Sequence, residues 1–170
     1  SRHSSANNHL IGELAGLYAG AVTWPCWKES KDWEAQARRE LEHEAQAQFS
    51  RDGVNREQAF AYHMLSSEFL FVAGLLGQAS GKPFPRSYWT VLQRALRFLR
   101  SVRDVDGGLP MVGDADDGCV FRLHAGSGRP GPDRAAQLLA LGDSVFGGQP
   151  DHHPGVRWLL HALPGGRPDC

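Results

Sequence analysis

Three short clusters carry residue types that could do chemistry. Asn7-Asn8-His9 sets two amides and an imidazole where an amphipathic stretch begins. Two readings fit it: an ordinary asparagine cap, or a carboxylate or sulfate site built from side-chain donors and the free N–H groups of a helix start. Glu57-Gln58 and Tyr62-His63 form the second cluster, with Asn55 just before it. Gln58 and Tyr62 are four residues apart and are predicted to share a helix face, with His63 turned about 100° away. Gln58 then reads as a capping glutamine and Tyr62 as a core tyrosine, or Tyr62 is an acid and base group on a polar face. The third cluster, Gly113-Asp114-Ala115-Asp116-Asp117-Gly118, has the outline of a calcium loop. Ala125 stands where such a loop needs its terminal bidentate Glu, so a turn or an acidic wall is the better reading.

These clusters must be positioned by helices. Leu10, Leu14, Leu17, Tyr18 and Ala21 recur at three- and four-residue steps over 9–22, with Asn7 or Asn8 as cap, Glu13 in the early turns and Pro25 as the stop. Trp33, Ala37, Leu41 and Ala45 stripe 31–49, which ends before the Asp52-Gly53 turn signal. The segment 55–79 is predicted to start at Asn55 with Gln58 at the capping-box position, and it is apolar almost all round from Phe69 to Leu76. Leu92, Leu96 and Leu99 define a fourth helix over 86–103, and Asp133 caps a fifth over 134–146. Short connections make this an antiparallel, all-α array. Between Asp104 and Leu123 the texture turns to aspartate and glycine, with at most a short strand at 119–123, and 126–132 reads as a flexible connection.

The composition narrows the partners. The chain has 170 residues, with 18 Lys+Arg against 19 Asp+Glu and a net charge of −1, so no basic surplus argues for nucleic acid or an anionic membrane. No uninterrupted run of 18 apolar residues is present, so no membrane insertion is expected. Cys26, Cys119 and Cys170 offer no metal-ligand spacing, and His152-His153 reads as a solvated loop. Trp24, Trp27, Trp33, Trp89 and Trp158 could stack on sugars, but their spread through the helices favours core contacts. Of 20 Gly and 10 Pro, 13 and 7 fall in the last 66 residues, so the helical texture runs out toward the end.

Taken together, the clusters resemble one family. Residues 4–17 (SSANNHLIGELAGL) are similar to the Asn-Asn-His helix start of the heparinase II/III-like and oligoalginate polysaccharide lyases. Glu44 to Phe49, Asp52 to Asn55 and Glu57 to His63 resemble that family's E…QF…DGVN-EQ…YH signature, and Pro110 to Gly118 its P-x-x-G-D-x-D-D-G segment. The resemblance covers roughly 4–147. It implies a partial (α/α) toroid over 1–147 with an acidic loop at 104–118, an irregular tail at 148–170, and a partner β-sandwich that this sequence does not show. It also implies β-elimination at a uronic acid of an acidic polysaccharide or oligosaccharide. In that chemistry Asn8, with His9 beside it, neutralises the C6 carboxylate. Tyr62 protonates the O4 leaving group, and for some stereochemistries also serves as base. Asn7, Gln58 and Glu13 bind or orient the substrate, and His63 is structural. No cofactor is expected within these residues; a structural metal and a second catalytic residue belong to the sandwich. The implied setting is bacterial, periplasmic or secreted, and the piece alone is expected to be inactive. Two other readings stand beside it: a non-catalytic carbohydrate-binding or scaffold remnant of the same fold, and a helical interaction protein with coincidental motifs.

Overall fold

The structure, a computed structural model, describes residues 7–114, 118–121 and 133–147. The suggested strand at 119–123 is absent at 119–121, and its last two residues, the connection 126–132 and the tail 148–170 lie outside the described residues. Five helices follow one another: α1 Asn8–Thr23, α2 Ser30–Gln48, α3 Phe60–Ala79, α4 Arg86–Ser101 and α5 Arg134–Phe146. The described residues therefore form an all-α array of antiparallel hairpins.

The side chains that meet give the directions. Gly12 of α1 lies against the Phe69 ring of α3, and the start of α1 bonds to Glu57 just before α3, so these two helices run the same way. On α4, Trp89 covers Gly74 while the Ala95 carbonyl meets His63 and Phe98 stacks on Phe60, which makes α4 antiparallel to α3. Gly142 and Phe146 of α5 meet Leu96 and Trp89 of α4 in reverse order again. One row thus holds α1, α3 and α5, and a second holds α2 and α4. All three helices of the first row begin at the same end of the molecule.

Burial of the predicted stripes fastens the rows. Ile11, Tyr18, Leu41, Leu70, Phe71, Leu92, Leu99 and Leu138 are fully buried in one core, and each such aliphatic or aromatic side chain stabilises by about 1.5–3 kcal/mol on burial. By length and composition α3 could cross a membrane, but it lies between α1, α4 and α5. It also carries Glu68 at 1% exposure, paired with Arg134 Nε at 2.7 Å and accepting from the Val120 N–H at 2.8 Å. A carboxylate so enclosed persists because its charge is matched and its oxygens are bonded. Gly53 has φ +87° in the α2–α3 turn, and a Cβ there would strike the Arg94 carbonyl, so only glycine lets this turn lie on α4.

Three expectations need correction. α3 begins at Phe60 rather than Asn55. Asn55 instead pairs as an antiparallel bridge with Phe49, and its side chain accepts from the Glu57 N–H at 2.9 Å, closing a local turn that competes with the helix. Gln58 has φ +56°, outside any helix, so it is neither a capping-box residue nor on the Tyr62 face. The tryptophans also part company. Trp89 packs on the core, whereas Trp24 and Trp27 are 51% and 53% exposed and Trp33 sits at their edge. The α1–α2 turn is exposed over 24–29, and these three rings cover one another at centroid distances of 6.4 and 6.1 Å.

Candidate functional site

The common starting end of α1, α3 and α5 gathers the residues that the sequence singled out. Asn7 caps α1, its side-chain oxygen accepting from the His9 N–H at 3.2 Å. Its carbonyl accepts from the Gln48 amide at 3.0 Å, and Gln48 is held in turn by buried Glu44 at 2.8 Å. The end of α2 therefore fixes the start of α1.

Asn8 is buried, at 3% exposure. Its backbone N–H donates to Glu57 Oε1 at 2.8 Å and its side-chain amide donates to Glu57 Oε2 at 3.1 Å. The start of α1 is therefore a carboxylate site, and the carboxylate it holds is the protein's own. The helix dipole and charge-assisted donors favour that arrangement. His9 is exposed beside it, and Glu13 is exposed one turn further along α1.

At the start of α3, Tyr62 is half-buried and its hydroxyl donates to Asp114 Oδ2 at 3.3 Å. Asp114 reaches it because the 110–114 loop lies on the first turn of α3: the Phe60 N–H donates to the Val112 carbonyl at 3.3 Å, and Gly113 packs on Ala59 with φ +75°. A side chain at 113 would be strained and would collide with Ala59. Tyr62 also differs from the other two tyrosines. Tyr18 and Tyr88 are fully buried, and burial pushes both phenols above their ordinary range. Tyr62 alone among the three presents a hydroxyl where a ligand could meet it.

His63 serves the scaffold. It packs on Phe49 and Phe98, and its Nε2 lies 3.1 Å from the Ala95 carbonyl. A carbonyl only accepts, so Nε2 carries the proton, leaving Nδ1 to accept from the Asn55 N–H at 3.4 Å. Burial, partly offset by the Ala95 bond, lowers its pKa to about 4, so the ring is neutral. It ties the turn before Tyr62 to α4.

The structure thus brings Asn7, Asn8 and His9 together with Glu57, places Tyr62 at the same end, and leaves Gln58 exposed on the connecting turn. Two partners were not assigned from sequence: Glu57 to Asn8 and Asp114 to Tyr62. Both lie inside the motifs quoted above, but contacts spanning 49 and 52 residues carry no periodic signal. Among the described residues, no three His, Cys, Asp or Glu side chains converge as metal ligands.

Residues 1–123 match the family described as heparinase II/III N-terminus, a span that includes the start of α1, the Glu57–His63 turn and Asp114. No curated protein and no solved structure matches the chain.

Proposed function

Because the chain belongs to the heparinase II/III N-terminus family, we propose that it is the catalytic-helix region of a lyase that cleaves uronate-containing polysaccharide by β-elimination. In that reaction the C5–H and C4–O4 bonds break, a C4=C5 double bond forms, and O4 leaves with a proton. The C5 proton is weakly acidic until the C6 carboxylate is neutralised, so donors must meet that carboxylate as charge develops. His9, exposed at the start of α1, supplies one donor, with Asn8 orienting the same helix end and Asn7, Gln58 and Glu13 along its rim. Tyr62 supplies the proton to O4.

The observation that carries this reading is the Tyr62–Asp114 bond. A phenol that donates to a carboxylate holds its proton on oxygen, the state a general acid needs before the bond to O4 breaks. Free phenol has a pKa near ~10, so a base role needs a positive field that lowers it, and the Asp114 carboxylate works against that. The base that accepts the C5 proton is accordingly a second residue, which the resemblance assigns to the β-sandwich of such lyases.

One observation favours a second reading, a non-catalytic carbohydrate-binding or scaffold unit of the same fold. Glu57 already fills the start of α1, so Asn8 has a sufficient structural reason to be there.

The test uses the protein expressed from its complete coding sequence, incubated with alginate, heparan-type glycans and bacterial exopolysaccharides. Ultraviolet absorbance of the unsaturated uronate reports turnover. Product formation that Tyr62→Phe abolishes supports the lyase reading. Full turnover by Tyr62→Phe would sink the mechanism, and glycan binding without product from any polymer would favour the second reading.

A further inference from the structure

The face of α4 turned away from the core carries a feature that the helix starts do not use. Arg86, Arg94, Arg97 and Arg100 are all exposed, and no Asp or Glu occurs in α4. At 100° per residue, Arg86 and Arg97 return to within about 20° of each other, with Arg94 and Arg100 about 60° to either side of Arg97. The four guanidinium groups therefore share one stripe roughly 21 Å long, opposite the buried Leu92, Leu96 and Leu99. In a chain of net charge −1 such a stripe is a local excess. Arg100 is partly neutralised by Asp143 of α5 at 2.6 Å. Arg86, Arg94 and Arg97 have no ion-pair partner among the described residues.

The stripe ends on a cavity. Gln93, Leu96, Arg97, Arg100, Asp143 and Phe146 line an open cavity of about 210 Å³ between α4 and α5. That is smaller than the ~300–1,000 Å³ of most ligand pockets and suits one ring rather than an oligosaccharide. Its lining has two characters: Leu96 and Phe146 offer apolar surface, while Gln93 and the two arginines offer donors. A pyranose uronate has the same two characters, a C–H face and a carboxylate. Asp143 would repel that carboxylate on its own, but its charge is spent on Arg100, which leaves Arg97 as the uncompensated cation. Guanidinium groups suit this role because they bind carboxylate or sulfate through two parallel N–H donors.

We propose that the α4 arginine stripe and the α4–α5 cavity form a second binding surface for an acidic polysaccharide, apart from the starts of α1 and α3. Arg97 holds a uronate carboxylate over the cavity, and Arg94 and Arg86 hold the chain beyond it. The surface itself stands on the stripe and the cavity; only the choice of a uronate as ligand rests on the lyase reading. The α4 end that carries Arg100 lies beside the start of α3, so a chain held on the stripe leads toward the site end of the molecule.

The experiment measures anisotropy of a labelled heparin oligosaccharide and a labelled oligoalginate, with duplex DNA as a third probe, at low and at physiological salt. Three proteins are compared: the unaltered chain, R86Q/R94Q/R97Q, and a control, K28Q/K31Q/R39Q, which removes the same charge from exposed positions elsewhere. The stripe variant should weaken glycan binding by about tenfold or more, and the control by less than about twofold. Added salt should narrow the difference, since exposed charges are screened. Equal loss in both variants, or no loss in the stripe variant, would overturn the proposal. Tighter binding of DNA than of either glycan would overturn the ligand class. The readout does not depend on turnover, so loss of glycan binding in the stripe variant supports the surface by itself, and absence of unsaturated product from the protein expressed from its complete coding sequence counts against the lyase reading alone.

Discussion

The starts of α1 and α3 stand at the same end of one array and are built in opposite ways. At α1, a buried amide and a backbone N–H close on Glu57, a carboxylate supplied from 49 residues away. At α3, the half-buried Tyr62 hydroxyl meets Asp114 at 3.3 Å, on a loop held by one backbone bond and a glycine. The first arrangement has satisfied its donors internally and gains stability from them. The second leaves its reactive atom near solvent and gains little. Substitutions at the two starts should therefore separate: those at α3 register in chemistry, those at α1 in folding.

Tyr62→Phe makes the sharpest test of that contrast. Loss of a positioned general acid lowers turnover by about 10²–10⁴-fold. The melting temperature should barely move, because the lost bond is long and exposed. A large fall in stability with turnover retained would reverse the assignment of the two starts.

The support beneath α3 should show itself through pH. His63 has a folded pKa of about 4, below the ~6.5 of an unfolded histidine. Between those values the unfolded chain binds the extra proton, so stability rises with pH through the window and is flat above it. Acidification from about pH 6.5 to pH 4 should remove about 3 kcal/mol. Urea unfolding across that range checks it, and His63→Gln should flatten the dependence. An unchanged slope in His63→Gln would mean that other groups titrate there.

What could be read in the sequence follows the range of the interactions. The helices were legible because their stripes are local: Leu92, Leu96 and Leu99 announce α4 without knowledge of its neighbours, and Asp133 caps α5 through a bond to the Ala136 N–H only three residues on. Asn55 misleads because cap and turn use the same short side chain. The contest was decided by its bridge to Phe49 and by the packing of His63 on Ala95, neither of which a helical repeat encodes. Grouping of Asn8 and Tyr62 at one end was legible only through resemblance, since it depends on the parallel course of α1 and α3, and their partners Glu57 and Asp114 were not legible at all. The exposure of Trp24 and Trp27 was not legible, because an exposed turn and a covered one share the same composition.

Glu57→Ala addresses the α1 side of the comparison. It leaves a buried backbone N–H and the Asn8 amide without their acceptor, which costs about 1–3 kcal/mol. Chemical denaturation should register that loss. Glu57→Gln should recover much of it, since an amide oxygen can still accept. If Glu57→Ala left stability unchanged, the start of α1 would be a free anion site, and Asn8 would join His9 as a direct ligand of the substrate carboxylate.

The smallest effect expected is the most discriminating for the role of Tyr62. Asp114→Asn keeps an acceptor oxygen near the phenol but removes the charge. Stability should change by less than about 0.5 kcal/mol, as for exposed polar substitutions generally. Turnover is where the two roles of Tyr62 part. As an acid, the phenol already carries its proton, and loss of the carboxylate makes that proton easier to give up, so the alkaline limb of the pH–rate profile should move to lower pH with a modest change in the plateau. As a base, the phenolate would be favoured by the same substitution, and the neutral-pH rate should rise. Profiles of the unaltered protein and Asp114→Asn on one polymer decide between them, and a rise at neutral pH would exchange the acid role argued from the 3.3 Å bond for that of a base.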